Sequence, residues 1–133
     1  MTKIKNIVSV GDMVGDRTIT KDDIVRIMPS LMESIISWGL YGELGPIKGS
    51  GSQVKIENVA LRVNSVSLDA DGSLSATIEP YGPKGDVLRS LLEIPESNTT
   101  YRFAPRFIVN SPEKSSGERN IRLLSIDVLP PLR

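Results

Sequence analysis

The 133-residue chain contains no histidine and no cysteine. Without cysteine there is no disulfide, no thiolate nucleophile and no zinc–thiolate site. Without histidine there is no imidazole base and no histidine-ligated metal. Aromatic residues make up only 5% of the chain, so its packing must rest on Val, Ile, Leu and Met. An excess of one charge is also missing, since sixteen basic residues balance sixteen acidic ones. That balance argues against a nucleic-acid-binding protein, whose affinity comes largely from neutralising phosphates. No segment approaches the roughly 18 apolar residues of a membrane span. The opening MTKIKNIVSV lacks the apolar stretch of a signal peptide. The expectation is one domain over 1–133 with a modest core, no cofactor or metal, no membrane contact, and an intracellular or particle-associated place.

What is present divides into short elements. Lys3 to Val10 alternates with a slip near Asn6, which predicts a strand with an irregularity. Gly11 to Arg17 reads as a glycine-bearing loop. Thr20 followed by Asp23 is close to a capping box. Behind it Ile24, Ile27, Met28, Leu31, Ile35 and Trp38 fall at helical spacing. Pro29 inside this pattern predicts a kink or a split, and Gly39 a stop. Tyr41 to Gln53 is glycine-rich, and GSGS at 49–52 predicts a flexible loop.

Val54 to Leu68 reads as β, with slips near Asn58 and Asn64–Ser65 that suggest bulges or bends. Asp71-Gly72 signals a hairpin returning along Ser73 to Glu79. A loop at Pro80–Gly85 leads into a helix at Asp86–Glu93, stopped by Pro95. Tyr101 to Val109 forms a strand, and Pro105 within it marks an edge or a bulge. A polar turn over Ser111–Glu118 precedes the last strand, Asn120 to Leu129. The order β-α-β-β-α-β-β gives an α+β class: a small curved sheet or β-barrel with two flanking helices.

The ordered motifs resemble the prohead maturation proteases of tailed bacteriophages, over roughly Arg17 to Pro130. The family carries a loop and helix where Gly15-Asp16-Arg17 and the Thr20 helix stand here. Its next motif is Gly-Glu-Leu-Gly/Asp-His-Pro with a catalytic histidine. Here Gly42-Glu43-Leu44-Gly45 matches, and Pro46 occupies the histidine position. The turn and leucine-rich helix of the family look similar to Tyr81-Gly82-Pro83-Lys84-Gly85 with Leu88, Leu91 and Leu92. The nucleophile strand, Ser-x-Arg or Ser-Pro-Arg in the family, reads Ala104-Pro105-Arg106. Asp127, in Ile126-Asp127-Val128-Leu129-Pro130, matches the place of a third catalytic acid.

The resemblance therefore implies a prohead-protease-like fold, akin to herpesvirus assembly protease, without base or nucleophile. It implies a catalytically inactive module that binds phage structural proteins or itself as a homo-oligomer, in the virion or the host cytoplasm. A second expectation is a phage accessory factor capturing a small anionic ligand or a host protein. A third is a hydrolase using Glu43 and Asp127 as a carboxylate pair.

The candidate residues carry competing readings. Glu43 either shares chemistry with Asp127 or caps and pairs within its own loop. Asp127 is otherwise a partly buried acid paired with Arg106 or Arg122. Arg106 is a carboxylate or phosphate contact, or one half of a structural ion pair. Alternation sets Arg102 and Arg106 on one strand face, opposite the aromatic residues. With Lys114, Arg119 and Arg122 they form either an anion-binding face or a solvated one. Trp38 and Tyr41 read as core and rim, or as an interface. Lys84 lacks the full phosphate-loop pattern, and Lys114 with Ser115 and Ser116 lies in an unshielded polar turn.

Overall fold

The computed structural model describes residues 2–14, 17–47, 53–94, 101–110 and 120–129. Readings that fall on GSGS, on Pro95, on the turn after Ser111 with Lys114, Ser115, Ser116 and Arg119, and on Gly15-Asp16 lie outside the described residues.

Strand β1 (Thr2–Val8) pairs antiparallel with β6 (Leu74–Pro80). Its register shifts between Ile4 and Val8, where Asn6 takes φ 57°. The expected irregularity is thus a bulge, built on a residue type that tolerates the left-handed region better than most. The Asn6 side-chain oxygen Oδ1 accepts from the Ser73 hydroxyl at 2.7 Å and so holds the bulge against the neighbouring hairpin. The loop expected over 11–17 contains short β2 (Met13–Val14) and β3 (Arg17–Thr18), which pair with each other.

Helix α1 runs unbroken from Lys21 to Ser37. Thr20 accepts from the Asp23 N–H, and Asp23 accepts from the Thr20 N–H at 2.9 Å. This reciprocal box satisfies two donors that have no partner in the first turn. Of the kink or split expected at Pro29, the split does not occur. Pro29 is exposed, so its ring costs the helix a hydrogen bond without displacing core side chains. Ile24, Ile27 and Leu31 face the core. Gly39, at φ 82°, ends the helix as expected and donates its N–H to the Ser34 carbonyl. Trp38 does not join the core: it is 81% exposed. It caps the C-terminus, past the last inward-facing turn.

The main sheet has the order β1-β6-β5-β4, with β4 at Tyr41–Glu43 and β5 at Val59–Leu68. The strand expected from Val54 begins later, because Ile56–Asn58 forms a 3-10 turn. The slip at Asn64 is a true register shift between Val63 and Ser65. Asp71-Gly72 lies in the β5–β6 hairpin loop, with Gly72 at φ 88°. Helix α2 spans Gly85–Leu92 and buries Leu88.

Strands β7 (Arg102–Asn110) and β8 (Asn120–Leu129) form a separate antiparallel pair. A parallel bridge from Leu44 to Val128 and a bond from the Gly45 N–H to the Val128 carbonyl (2.7 Å) tie this pair to β4. The strands therefore curve around one core, to which α1, α2, β5, β6 and β8 all contribute. They do not close into the barrel that was one expectation. Among the described residues β1 and β7 share no ladder, so each keeps an edge. Pro105 sits on the β7 edge strand, where its missing N–H costs little.

Candidate functional site

The junction of β4 with β8 gathers three buried polar residues, Glu43, Ser125 and Asp127. Gly42 is required there: an added Cβ would overlap the Ile126 carbonyl oxygen. This close approach lets the Glu43 N–H reach across to Asp127 Oδ1 at 2.9 Å. On β8, Ser125 and Asp127 point to one side and Ile126 and Val128 to the core. The β7 register places Ala104 opposite Asp127 and Arg106 opposite Ser125.

Arg106 organises the cluster. Its Nη2 donates to Glu43 Oε2 at 2.6 Å and to Asp127 Oδ1 at 3.1 Å. Its Nε lies 3.0 Å from Asp127 Oδ2 and donates to Ser125 Oγ at 2.9 Å. Its Nη1 donates to the Gln53 carbonyl at 3.2 Å. The Ser125 hydroxyl in turn donates to Asp127 Oδ1 at 3.0 Å. Both acids are 2% exposed. Two carboxylates thus share one guanidinium fork in a largely dry setting, a geometry suited to arginine and not to lysine. Burial pushes the Asp127 carboxyl above its ordinary value. The Glu43 N–H, the Arg106 charge and the Ser125 hydroxyl act against that push.

Of the competing readings, the structure joins Asp127 to Arg106, not to Arg122, which is exposed across the ladder from Ile108. Glu43 does not pair within its own loop. Its carboxylate reaches a residue 63 positions away. Arg106 is half of a structural ion pair, and more: it holds two acids, a hydroxyl and a carbonyl. Arg102 shares its strand face, and the buried Arg102 Nε has no partner among the described residues. Pro46 follows Gly45 in the loop that bonds Val128, through a cis peptide. Ala104 faces Asp127 across the ladder, and Pro46 follows the loop residue that bonds Val128.

Ser125 and Gln53 were not foreseen as part of this site. Ser125 was findable, since it sits two residues from Asp127 on the same strand face. Gln53 contributes only its backbone, which no side-chain pattern announces.

A groove of about 380 Å³ opens beside this cluster, lined by Tyr41, Val54, Ile56, Val59, Tyr81 and Pro83. Tyr41 stacks on Tyr81 with centroids 5.6 Å apart, and the Arg62 guanidinium lies 5.0 Å from the Tyr81 ring centre. Arg62 is itself paired with Glu79. The Gln53 carbonyl held by Arg106 anchors the segment that supplies Val54 and Ile56. The site thus links a buried charge cluster, through Gln53, to an apolar, aromatic-walled groove. Among the described residues no group of acidic side chains is arranged to hold a metal, and no helix is long and apolar enough to cross a membrane.

No family model and no curated protein matches the chain. Among solved structures it is similar to the bacteriophage T4 capsid assembly protease, gp21. The TM-score is 0.52 at 16% identity, covering 78% of this chain and 67% of that one. At this identity the likeness is one of fold: a small α+β domain of two helices and antiparallel sheets.

Proposed function

We propose that this chain is a catalytically silent version of the capsid-assembly-protease fold, acting as a binding module for structural proteins of a phage head. The observation that carries the reading is the Arg106 cluster. Asp127, the acid at the third catalytic position of the resemblance, is held by a guanidinium and faces Ala104 across the ladder. Pro46 stands on the loop where the resemblance places the base. A hydroxyl without a positioned base, or a base without a hydroxyl, gives little acceleration. What the fold keeps is a rigid junction and the Tyr41–Tyr81 groove, whose walls suit an apolar side chain of an extended peptide. Its working place is then the assembling particle or the host cytoplasm around it.

The test uses labelled peptides tiled from scaffolding and capsid proteins of tailed phages, read by anisotropy for binding and by mass spectrometry for cleavage. Saturable binding that weakens in Tyr81→Ser, with every peptide intact, is the expected result. Turnover that disappears in Asp127→Asn would replace this reading with the carboxylate hydrolase. Absence of binding to all peptides would sink the binding module.

A second reading, capture of a small anion, draws on Arg102 and its unpartnered Nε. Arg106 is not available to it. Inorganic phosphate that raises Tm in the wild type and not in Arg102→Gln would favour it.

A further inference from the structure

Helix α1 has a second apolar face, and it points outward. Val25, Met32 and Ile36 are 50%, 49% and 83% exposed, and Pro29 is exposed between them. The spacing 25, 29, 32, 36 alternates steps of four and three, the seam pattern of helices that pair. At about 100° per residue the four positions fall in one narrow stripe. That stripe continues sideways into half-buried Met28 and Ile35. Solvent-facing helix surface is ordinarily charged and polar. Here the inward face is already satisfied by Ile24, Ile27 and Leu31, so the outward stripe is not needed for the core.

We propose that two copies of this chain pair through α1, antiparallel across a two-fold axis level with residues 30 and 31. The stripe is self-complementary about that level. Val25 of one copy meets Ile36 of the other, and Pro29 meets Met32. The charges beside it obey nearly the same symmetry. Arg26 and Glu33 are exposed along one flank, and neither joins an ion pair among the described residues. In the antiparallel pair each Arg26 lies beside the other copy's Glu33, twice by symmetry. In a parallel two-fold pair the two flanks would lie on opposite sides of the seam, and Arg26 would not reach the other copy's Glu33. This is the self-complementary patch that a two-fold interface requires. The dimer depends on nothing in the functional reading above, because α1's outward face lies apart from the Arg106 cluster and the tyrosine groove.

Sedimentation equilibrium over a concentration series tests it. The wild type should show a monomer–dimer equilibrium in the micromolar range. Met32→Glu with Ile36→Glu should raise Kd at least about tenfold, with far-UV circular dichroism and Tm unchanged. Arg26→Glu alone and Glu33→Arg alone should each weaken the dimer, and the double variant Arg26→Glu with Glu33→Arg should restore it. A wild type that stays monomeric at about 500 µM would overturn the proposal. So would a dimer that survives the two glutamates, or a charge swap that restores nothing.

Discussion

Replacing Arg106 by methionine would leave Glu43 and Asp127 side by side in the interior with no cation between them. Methionine is close in length and keeps the apolar stem, so packing changes little. Both acids are 2% exposed, and the same Nη2 holds one oxygen of each. Removing one partner of such a buried network costs about 3–5 kcal/mol. For a chain of this size that corresponds to a fall in Tm of roughly 10–20 °C. It is also a large part of a total stability of about 5–15 kcal/mol.

The loss depends on pH with a defined sign. Burial already raises Asp127 above its ordinary value, and Arg106 opposes that rise. The variant removes the opposition, so the folded value climbs further. In the window above the ordinary value of 3.8 the folded form then binds more protons than the unfolded one, and stability falls as pH rises. The deficit of Arg106→Met is therefore greatest near neutrality and shrinks as pH falls toward about 4. Urea unfolding of both proteins across that range measures it. A deficit under about 1 kcal/mol at neutral pH would show that the acids are solvated and the interior cluster is wrong. A deficit of unchanging size across the range would refute the charge argument even if the variant were unstable.

Three further outcomes follow from local geometry. Thr20→Ala removes half of the capping box and should cost about 1 kcal/mol in urea unfolding, with little change in m. Gly42→Ala drives a methyl group into the Ile126 carbonyl, which is backbone and cannot swing aside, so a loss of about 3 kcal/mol or more, read by Tm, is expected. Asn6→Val and Asn6→Gly both remove the side-chain acceptor of the Ser73 hydroxyl, but only the valine puts a β-branched residue at φ 57°. Thermal unfolding should rank wild type and Asn6→Gly well above Asn6→Val.

The legible parts of this chain are those in which cause and effect sit close in sequence. The Thr20–Asp23 box, the Gly39 stop, the bulge at Asn6, the slip at Asn64 and the Asp71-Gly72 loop each act within a few residues of their signal. The short β2–β3 pair and the 3-10 turn at Ile56–Asn58 escaped, because short elements carry too few residues to show a period. Trp38 was misplaced for a related reason. Helical spacing brings it into phase with the core stripe, but the helix ends one residue earlier, so the phase no longer decides its burial.

The site was legible by residue type and not by pairing. Asp127 stood out as an acid to be paired with Arg106 or Arg122, and only the ladder register decides for Arg106. Glu43 could not be joined to them by any local rule, because its contact depends on β4 crossing to β8 at a glycine. That crossing explains why the cluster takes this form. Gly42 lets two backbones touch, and the touch delivers an N–H and a carboxylate into a space already holding Asp127. Two buried acids at one junction need a cation with several donors, and the β7 register supplies Arg106 at the ladder position opposite Ser125. Once that fork is in place, the acids are bound to structure. A hydroxyl placed at position 104 would face an acid already committed to a guanidinium.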